Sequence, residues 1–373
     1  MRREPSALTS SVAILRRDIG AQRIEADAAQ MAAAVRLDEL SLALRKTSLT
    51  QKVCRSFGVS SLFGNDSSAP RGIYLCGGVG RGKTYLMDLF YATLNFPQRE
   101  RTHFYRFMQS IQAELQAAKG RTDPLELVAR RIASRTRVLC LDEFFVADIA
   151  DAMILAGLLE GLLRRGVTLV TTSNQAPQNL YPDGLQRQRF LPAIDMLERQ
   201  LEVICVDGPV DYRLRHLESA NIYLDAGLPD TEARLKRLFA ALSQGRESGP
   251  VELLIVGRKI SAKDTATDAA WFEFNALCAT PRSANDYIEL AHLYPTIFLT
   301  HVPPLTEEAD DAARRFLTLI DECYDRGVKL VISAFASPGQ LYRGLRLEFD
   351  FQRAASRLIE MQSQEYLARE HRA

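Results

Sequence analysis

The chain has 373 residues, 47 Lys and Arg against 46 Asp and Glu for a net charge of +1, and 47% apolar residues. That length accommodates two to three domains. The composition can bury a real core, which excludes a disordered, repetitive or low-complexity chain. Near-neutral charge speaks against a broad nucleic-acid footprint, so no nucleic-acid partner is expected. The six cysteines, at 54, 76, 140, 205, 278 and 323, lie far apart in sequence, with no CxxC. They read as small buried residues in a reducing compartment, not as a disulfide framework or a zinc site. The longest apolar stretch, Ala152 to Leu163, is interrupted by Glu160 and falls short of the roughly 20 residues a membrane span needs. The N-terminus carries arginines and serines without a secretory apolar core, and Glu4 and Asp18 weaken a transit-peptide reading. A cytoplasmic protein is expected in preference to one of the mitochondrial matrix.

In chain order, Leu15 to Arg55 is rich in Ala, Leu, Glu and Arg with no Pro, which predicts one or two amphipathic helices in an N-terminal segment, residues 1–62. Phe63 to Pro70 reads as a linker. The next region, 63–208, carries short apolar runs at Gly72–Leu75, His103–Phe107, Val138–Leu141, Val167–Thr171 and Leu201–Val206, predicted as strands. Periodic stretches at Thr84–Leu94, Pro124–Ala133 and Asp148–Leu163 predict helices between them. Continuous apolar runs suit strands buried on both faces, so the fold class expected is α/β, a parallel five-stranded sheet with flanking helices. Residues 209–373 form a mixed α/β half. Helices are predicted at Asp230–Leu242 and Glu307–Tyr324, strands at Val251–Val256, Trp271–Phe274, Thr296–His301 and Val328–Ala334, and a long final helix near Phe351–Glu370.

The strongest motif is Gly77-Gly78-Val79-Gly80-Arg81-Gly82-Lys83-Thr84, which satisfies G-x-x-x-x-G-K-[ST] between a strand and a helix. Its glycines permit positive φ and let backbone N–H groups approach a polyphosphate, and the helix N-terminus adds a positive dipole end. Lys83 is expected to reach the β- and γ-phosphates of ATP, and the Thr84 hydroxyl to coordinate Mg²⁺. The apolar strand Val138-Leu139-Cys140-Leu141 ends in Asp142-Glu143, at the edge where such a site needs acids. Asp142 suits the Mg²⁺ shell, and Glu143 suits holding or polarising the attacking water. The adjacent pair tilts the reading towards hydrolysis. Asn174, past the following strand, is placed either to orient that water or to cap a turn.

Arg187 and Arg189 fall on a predicted helix before the fifth strand. Two residues apart they face different ways, so at most one, Arg189 by preference, projects across a subunit boundary as a trans-acting finger; a surface ion pair is the plainer alternative. The histidines have no metal-ligand spacing, and no Ser or Cys has an evident partner base. Phe104, Tyr105, Phe107 and Met108 read more readily as core than as a pore contacting a client.

Taken together with less generic stretches, the chain resembles the ZapE/AFG-like family of AAA+ ATPases. The matching segments are Leu75 to Tyr91, His103 to Met108, Thr122 to Leu125, Leu141-Asp142-Glu143-Phe144-Phe145-Val146-Ala147-Asp148-Ile149, Gly184 to Arg187 with Arg189 to Asp195, Val210 to Arg215, Arg314 to Asp321 and Ser356 to Ser363. The resemblance runs from about Asp27 to the end and departs in the first dozen residues and around Leu242–Lys263. It implies an AAA+ P-loop NTPase core, ATP and Mg²⁺ at subunit interfaces, and a homo-oligomeric ring. For bacterial members it implies a cytoplasmic division protein that lowers the stability of FtsZ polymers, and for mitochondrial members the handling of inner-membrane proteins. The usual helical lid is replaced by the mixed α/β half, leaving Arg353 and Arg357 as candidates for the second sensor arginine. A P-loop kinase or transferase, disfavoured by Asp142-Glu143 and Asn174, and a helicase or helicase loader, disfavoured by the charge, are the alternatives.

Overall fold

Runs of apolar residues without alternation become fully buried strands, and three of the expected runs do so at every residue. These are β1 (Gly72–Cys76), β3 (Val138–Asp142) and β4 (Thr168–Ser173). The computed structural model describes residues 10–21, 24, 27–56 (backbone only for 47–56), 69–78, 80–146, 149–182, 184–206, 217, 221–243, 249–266, 268–369 and 371. Val79, Ala147, Asp148, most of the expected linker at 63–70 and the segment 210–215 lie outside them. The chain divides into two units, Met1–Pro209 and Val210–Ala373.

In the first unit, β1, β3 and β4 join β2 (Arg99–His103) and β5 (Leu201–Cys205) in one parallel sheet of order β2-β3-β4-β1-β5. Alternation along β1 separates the two faces. Ile73 and Leu75 pack with α1 (Ser11–Gly20), α2 (Ala28–Ser56) and α3 (Lys83–Thr93), whose Leu15, Leu37 and Phe90 are buried there. Tyr74 and Cys76 face α4 (Phe104–Ala117), α5 (Pro124–Arg135), α6 (Ile149–Arg164) and α7 (Leu191–Gln200). The five-stranded parallel sheet flanked by helices is the fold class expected.

The helices expected in residues 1–62 belong to this unit. Asp38 of α2 accepts hydrogen bonds from Ser11 N at 2.7 Å and Val12 N at 3.1 Å, closing the exposed start of α1. Tyr85 on α3 donates to Asp18 on α1 at 2.6 Å.

The second strand differs from expectation. His103–Phe107 was expected because its aromatics are strand-prone, whereas the strand is Arg99–His103 and the aromatics begin α4. Phe104, Phe107, Met108 and Ile111 are all buried and recur at i, i+3, i+4 and i+7, the stripe of a helix. They are core, each worth roughly 1.5–3 kcal/mol by burial. The true strand, Arg-Glu-Arg-Thr-His, is half-buried at a sheet edge and so carries no apolar run. Residues 187 and 189 are also not α-helical. They form a single 3₁₀ turn, Arg187–Arg189, because Gln186 is left-handed (φ 58°) and Pro192 fixes the first turn of α7.

The second unit is a mixed sheet. Strands β6 (Tyr223–Asp225), β12 (Lys329–Ala334), β11 (Thr296–Val302) and β10 (Ala269–Glu273) are parallel in that order, and β9 (Asp264–Thr265) adds antiparallel to β10. β7 (Val251–Ile255) and β8 (Arg258–Ala262) form a separate hairpin. The expected long final helix is two helices, Glu348–Glu360 and Gln364–Leu367, the second begun by the Ser363 side chain accepting from Tyr366 N. The period alone could not register that Ser363 cap. Among the described residues no helix is long and apolar enough to cross a membrane.

β1 carries the phosphate-loop motif, and its closeness to β4 depends on a missing side chain. A Cβ at Gly72 would lie 2.0 Å from the Leu169 carbonyl oxygen, a backbone atom that cannot rotate away. Gly72→Ala is therefore expected to destabilise by about 1–3 kcal/mol, seen as a lower urea midpoint at unchanged slope.

Candidate nucleotide site

The site sits where β1, β3 and β4 end together. β1 passes from Cys76 into a loop whose Gly77, Gly80 and Gly82 have φ of 143°, 74° and 79°, a set of conformations that side chains strain to adopt. α3 then begins at Lys83 with Gly82 as its N-cap and no side-chain cap bond. Its first N–H groups are thereby left for another acceptor, the arrangement that suits an anion.

Lys83 is only 6% exposed and is folded back into the loop. Its Nζ donates to Gly77 O at 2.7 Å, Gly78 O at 2.6 Å and Asn174 Oδ1 at 3.0 Å. Thr84, the next residue, is half-buried on the first turn of α3. From the other side, Gln30 of α2 donates to Arg81 O at 3.0 Å, so the N-terminal helix braces the loop. The Arg81 Nη1 is buried with no hydrogen-bond partner among the described residues.

Asp142, the last residue of β3, is 2% exposed. Its two oxygens have different surroundings. Oδ2 accepts from Arg101 Nε at 2.7 Å, whereas Oδ1 is buried with no hydrogen-bond partner among the described residues. Arg101 lies on β2 and also bonds Asp88 of α3. Burial lifts the Asp142 carboxyl above its usual range, with Arg101 opposing the rise. Burial also works against the Arg101 charge, but the two carboxylates outweigh it and hold the guanidinium above its ordinary value.

Glu143 follows with φ of 55°, so the chain turns sharply between the two acids. Its N–H donates to Thr172 Oγ1 at 3.0 Å. Neighbouring bonds fix the same tip: Phe144 N to Thr172 O at 2.7 Å, Ser173 Oγ to Phe144 O at 2.7 Å, and Thr171 Oγ1 to Leu141 O at 2.9 Å. The turn past β4 is closed by Ser173, which accepts from Gln175 N, while the Asn174 side chain turns to Lys83.

The structure thus brings Gly77, Gly78, Gly80, Arg81, Gly82, Lys83, Thr84, Asp142, Glu143 and Asn174 to one edge of the sheet. Arg187 donates to Gln178 O at 2.8 Å within its own loop, and Arg189 is exposed. Arg353 and Arg357 are both engaged by Asp321 inside the second unit. Sequence reasoning missed Arg101 and Asp88. A cation two residues before the end of a polar strand and an acid one turn past Thr84 are the signals that could have found them.

The chain matches the AFG1-like ATPase description over residues 9–370. It is 49% identical over 303 residues to "Cell division protein ZapE" of Escherichia coli strain K12, covering 81% of this chain and 81% of that protein. It is 37% identical over 343 residues to "Lactation elevated protein 1 homolog B" of Danio rerio, covering 80% and 68%. The crystal structure of DnaI covers 49% of this chain and 87% of its own at 16% identity and a TM-score of 0.34, a likeness too slight to inform fold or function.

Removing Arg101 leaves the buried Asp142 and the largely buried Asp88 without their shared cation. Arg101→Ala is expected to cost about 3–5 kcal/mol of stability in chemical denaturation, and Arg101→Lys, which keeps the charge, clearly less.

Proposed function

The chain belongs to the AFG1-like ATPase family and is a P-loop ATPase; from that premise we propose that it hydrolyses ATP with Mg²⁺ at the edge formed by the loop, Asp142 and Glu143, and couples the reaction to remodelling a protein partner. One observation carries the reading: beside the phosphate loop, Asp142 has one oxygen fastened by Arg101 and the other buried with no hydrogen-bond partner among the described residues. A buried carboxylate oxygen without a donor is costly unless something cationic meets it. The donor set of a hydroxyl and a carboxylate suits a hard divalent ion, so the residues present fit Mg²⁺.

In this reading the N–H groups of residues 77–82 and the start of α3 hold the phosphates, and Lys83 exchanges its loop carbonyls for phosphate oxygens. Thr84 and Asp142 would hold the metal, which would supply positive charge against the phosphates. Glu143 orients a water and takes its proton, and Asn174 helps place that water. Arg189, exposed at its turn, serves a neighbouring subunit in a ring, with Arg187 the less suited because it is bonded to Gln178.

The partner follows by kinship. The 49% identity to a protein named for cell division supports a role in division; a cytoplasmic site and FtsZ polymers, as the client whose stability the ATPase lowers, come with the resemblance to the family's bacterial members. Association with membrane proteins would be peripheral.

Lys83→Ala is expected to abolish ATP binding in calorimetry. Glu143→Gln should bind normally and turn over about 10²–10⁴-fold more slowly; wild-type turnover in that variant would refute the base assignment. Sedimentation of FtsZ polymers with this protein should fall with ATP and stay unchanged with a non-hydrolysable analogue. Equal pelleting in every condition would remove the division role and leave the ATPase standing.

A further inference from the structure

Cys76 and Cys205 are 129 residues apart in sequence, and the sheet makes them neighbours. They are register partners on β1 and β5, with Sγ atoms 2.9 Å apart and either able to donate. Paired positions on adjacent parallel strands project to the same face, which puts the two side chains on one side of the sheet. A disulfide is about 2.05 Å long, so closing the bond brings the sulfurs together by a little under an ångström.

Access to the two thiols is unequal. Cys76 is 2% exposed, and Cys205, on the edge strand, is exposed. The other described cysteines, Cys140, Cys278 and Cys323, are fully buried, and burial pushes their thiols up, away from the reactive thiolate. Among the described residues, only at Cys205 does an accessible thiol have a second sulfur beside it.

The position also matters. Cys76 immediately precedes Gly77, whose carbonyl holds Lys83, and Cys76 O accepts from Val206 N at 2.7 Å. Any pull on the end of β1 is therefore delivered to the first residue of the phosphate loop.

We propose that Cys76 and Cys205 are an oxidative modification site, closed by a hydroperoxide to a reversible disulfide that weakens nucleotide binding at the adjoining loop. In the first step the Cys205 thiolate attacks the peroxide. The O–O bond breaks, an S–O bond forms, and the distal oxygen leaves as hydroxide, which takes up the proton released when the Cys205 thiol ionised and becomes water, giving a sulfenic acid. In the second step the Cys76 sulfur attacks that sulfur. The S–S bond forms, the S–O bond breaks, and the hydroxyl departs with the Cys76 proton as water. The two sulfurs lose two electrons in all and the peroxide gains two. A dithiol reductant reverses the bond by exchange.

The effect on binding rests on the nucleotide reading above, and the experiment separates the two. The reduced full-length protein is first titrated with ADP by calorimetry; absence of binding there overturns the nucleotide reading, not the thiol chemistry. The protein is then treated with graded hydrogen peroxide, alkylated and digested without reductant. The expected product is a peptide pair joined through Cys76 and Cys205, lighter than its sum by two hydrogens and lost on adding dithiothreitol. The ADP dissociation constant should rise about fivefold or more on oxidation and return on reduction. Cys205→Ser should bind ADP as the reduced wild type does and ignore peroxide. Cys205 proceeding to sulfinic acid with Cys76 still alkylatable would overturn the site. A linked pair with unchanged ADP affinity would overturn the switch.

Discussion

β4 lies between β1 and β3 in parallel register, and the candidate site depends on that insertion. β1 brings the loop and β3 brings the acids, but the two strands are not hydrogen-bonded to each other; both are positioned by the strand they share. The Thr171, Thr172 and Ser173 hydroxyls at the end of β4 hold residues 141 to 144 by three side-chain bonds, and the next residue, Asn174, reaches Lys83. One polar strand end thus sets the distance between the lysine and the carboxylates. Buried hydroxyls are tolerable there because each is spent on a specific backbone group of the neighbouring strand or turn.

A second constraint is electrostatic. Asp88, Arg101 and Asp142 come from a helix and two strands and meet in a largely buried triad. Such a group contributes little net stability compared with apolar packing, because desolvation offsets most of the attraction. What it contributes is position: with Oδ2 fastened, the remaining Asp142 oxygen has a fixed direction. The proposed hydrolysis calls for an acid held in place before the nucleotide arrives, and a residue free to rotate would lose that preorganisation.

Much of this was legible in the sequence because the signals are local. The loop motif, the apolar runs of β1, β3 and β4 and the acids ending β3 each depend on residues within one element. What escaped depends on partners. β2 is a half-buried edge strand with charged residues, so its neighbours' aromatics drew the strand assignment to what is the first turn of α4. Arg101 has no motif of its own and is recognised only when β2 is laid beside β3. Cys76 and Cys205 looked unrelated at 129 residues apart, since only the strand order places β5 next to β1. The link between Gln30 and Arg81 is likewise invisible until the N-terminal helices are packed.

The left-handed backbone at Glu143 sets folding against chemistry at a single position. A residue with a Cβ in that conformation costs roughly 1–2 kcal/mol, part of which the bond to Thr172 returns. Glycine or asparagine would occupy the same turn more comfortably. A library of this chain selected for thermal endurance alone would therefore drift away from glutamate at 143, whereas, under the role proposed for it, one selected for phosphate release would retain it despite the strain.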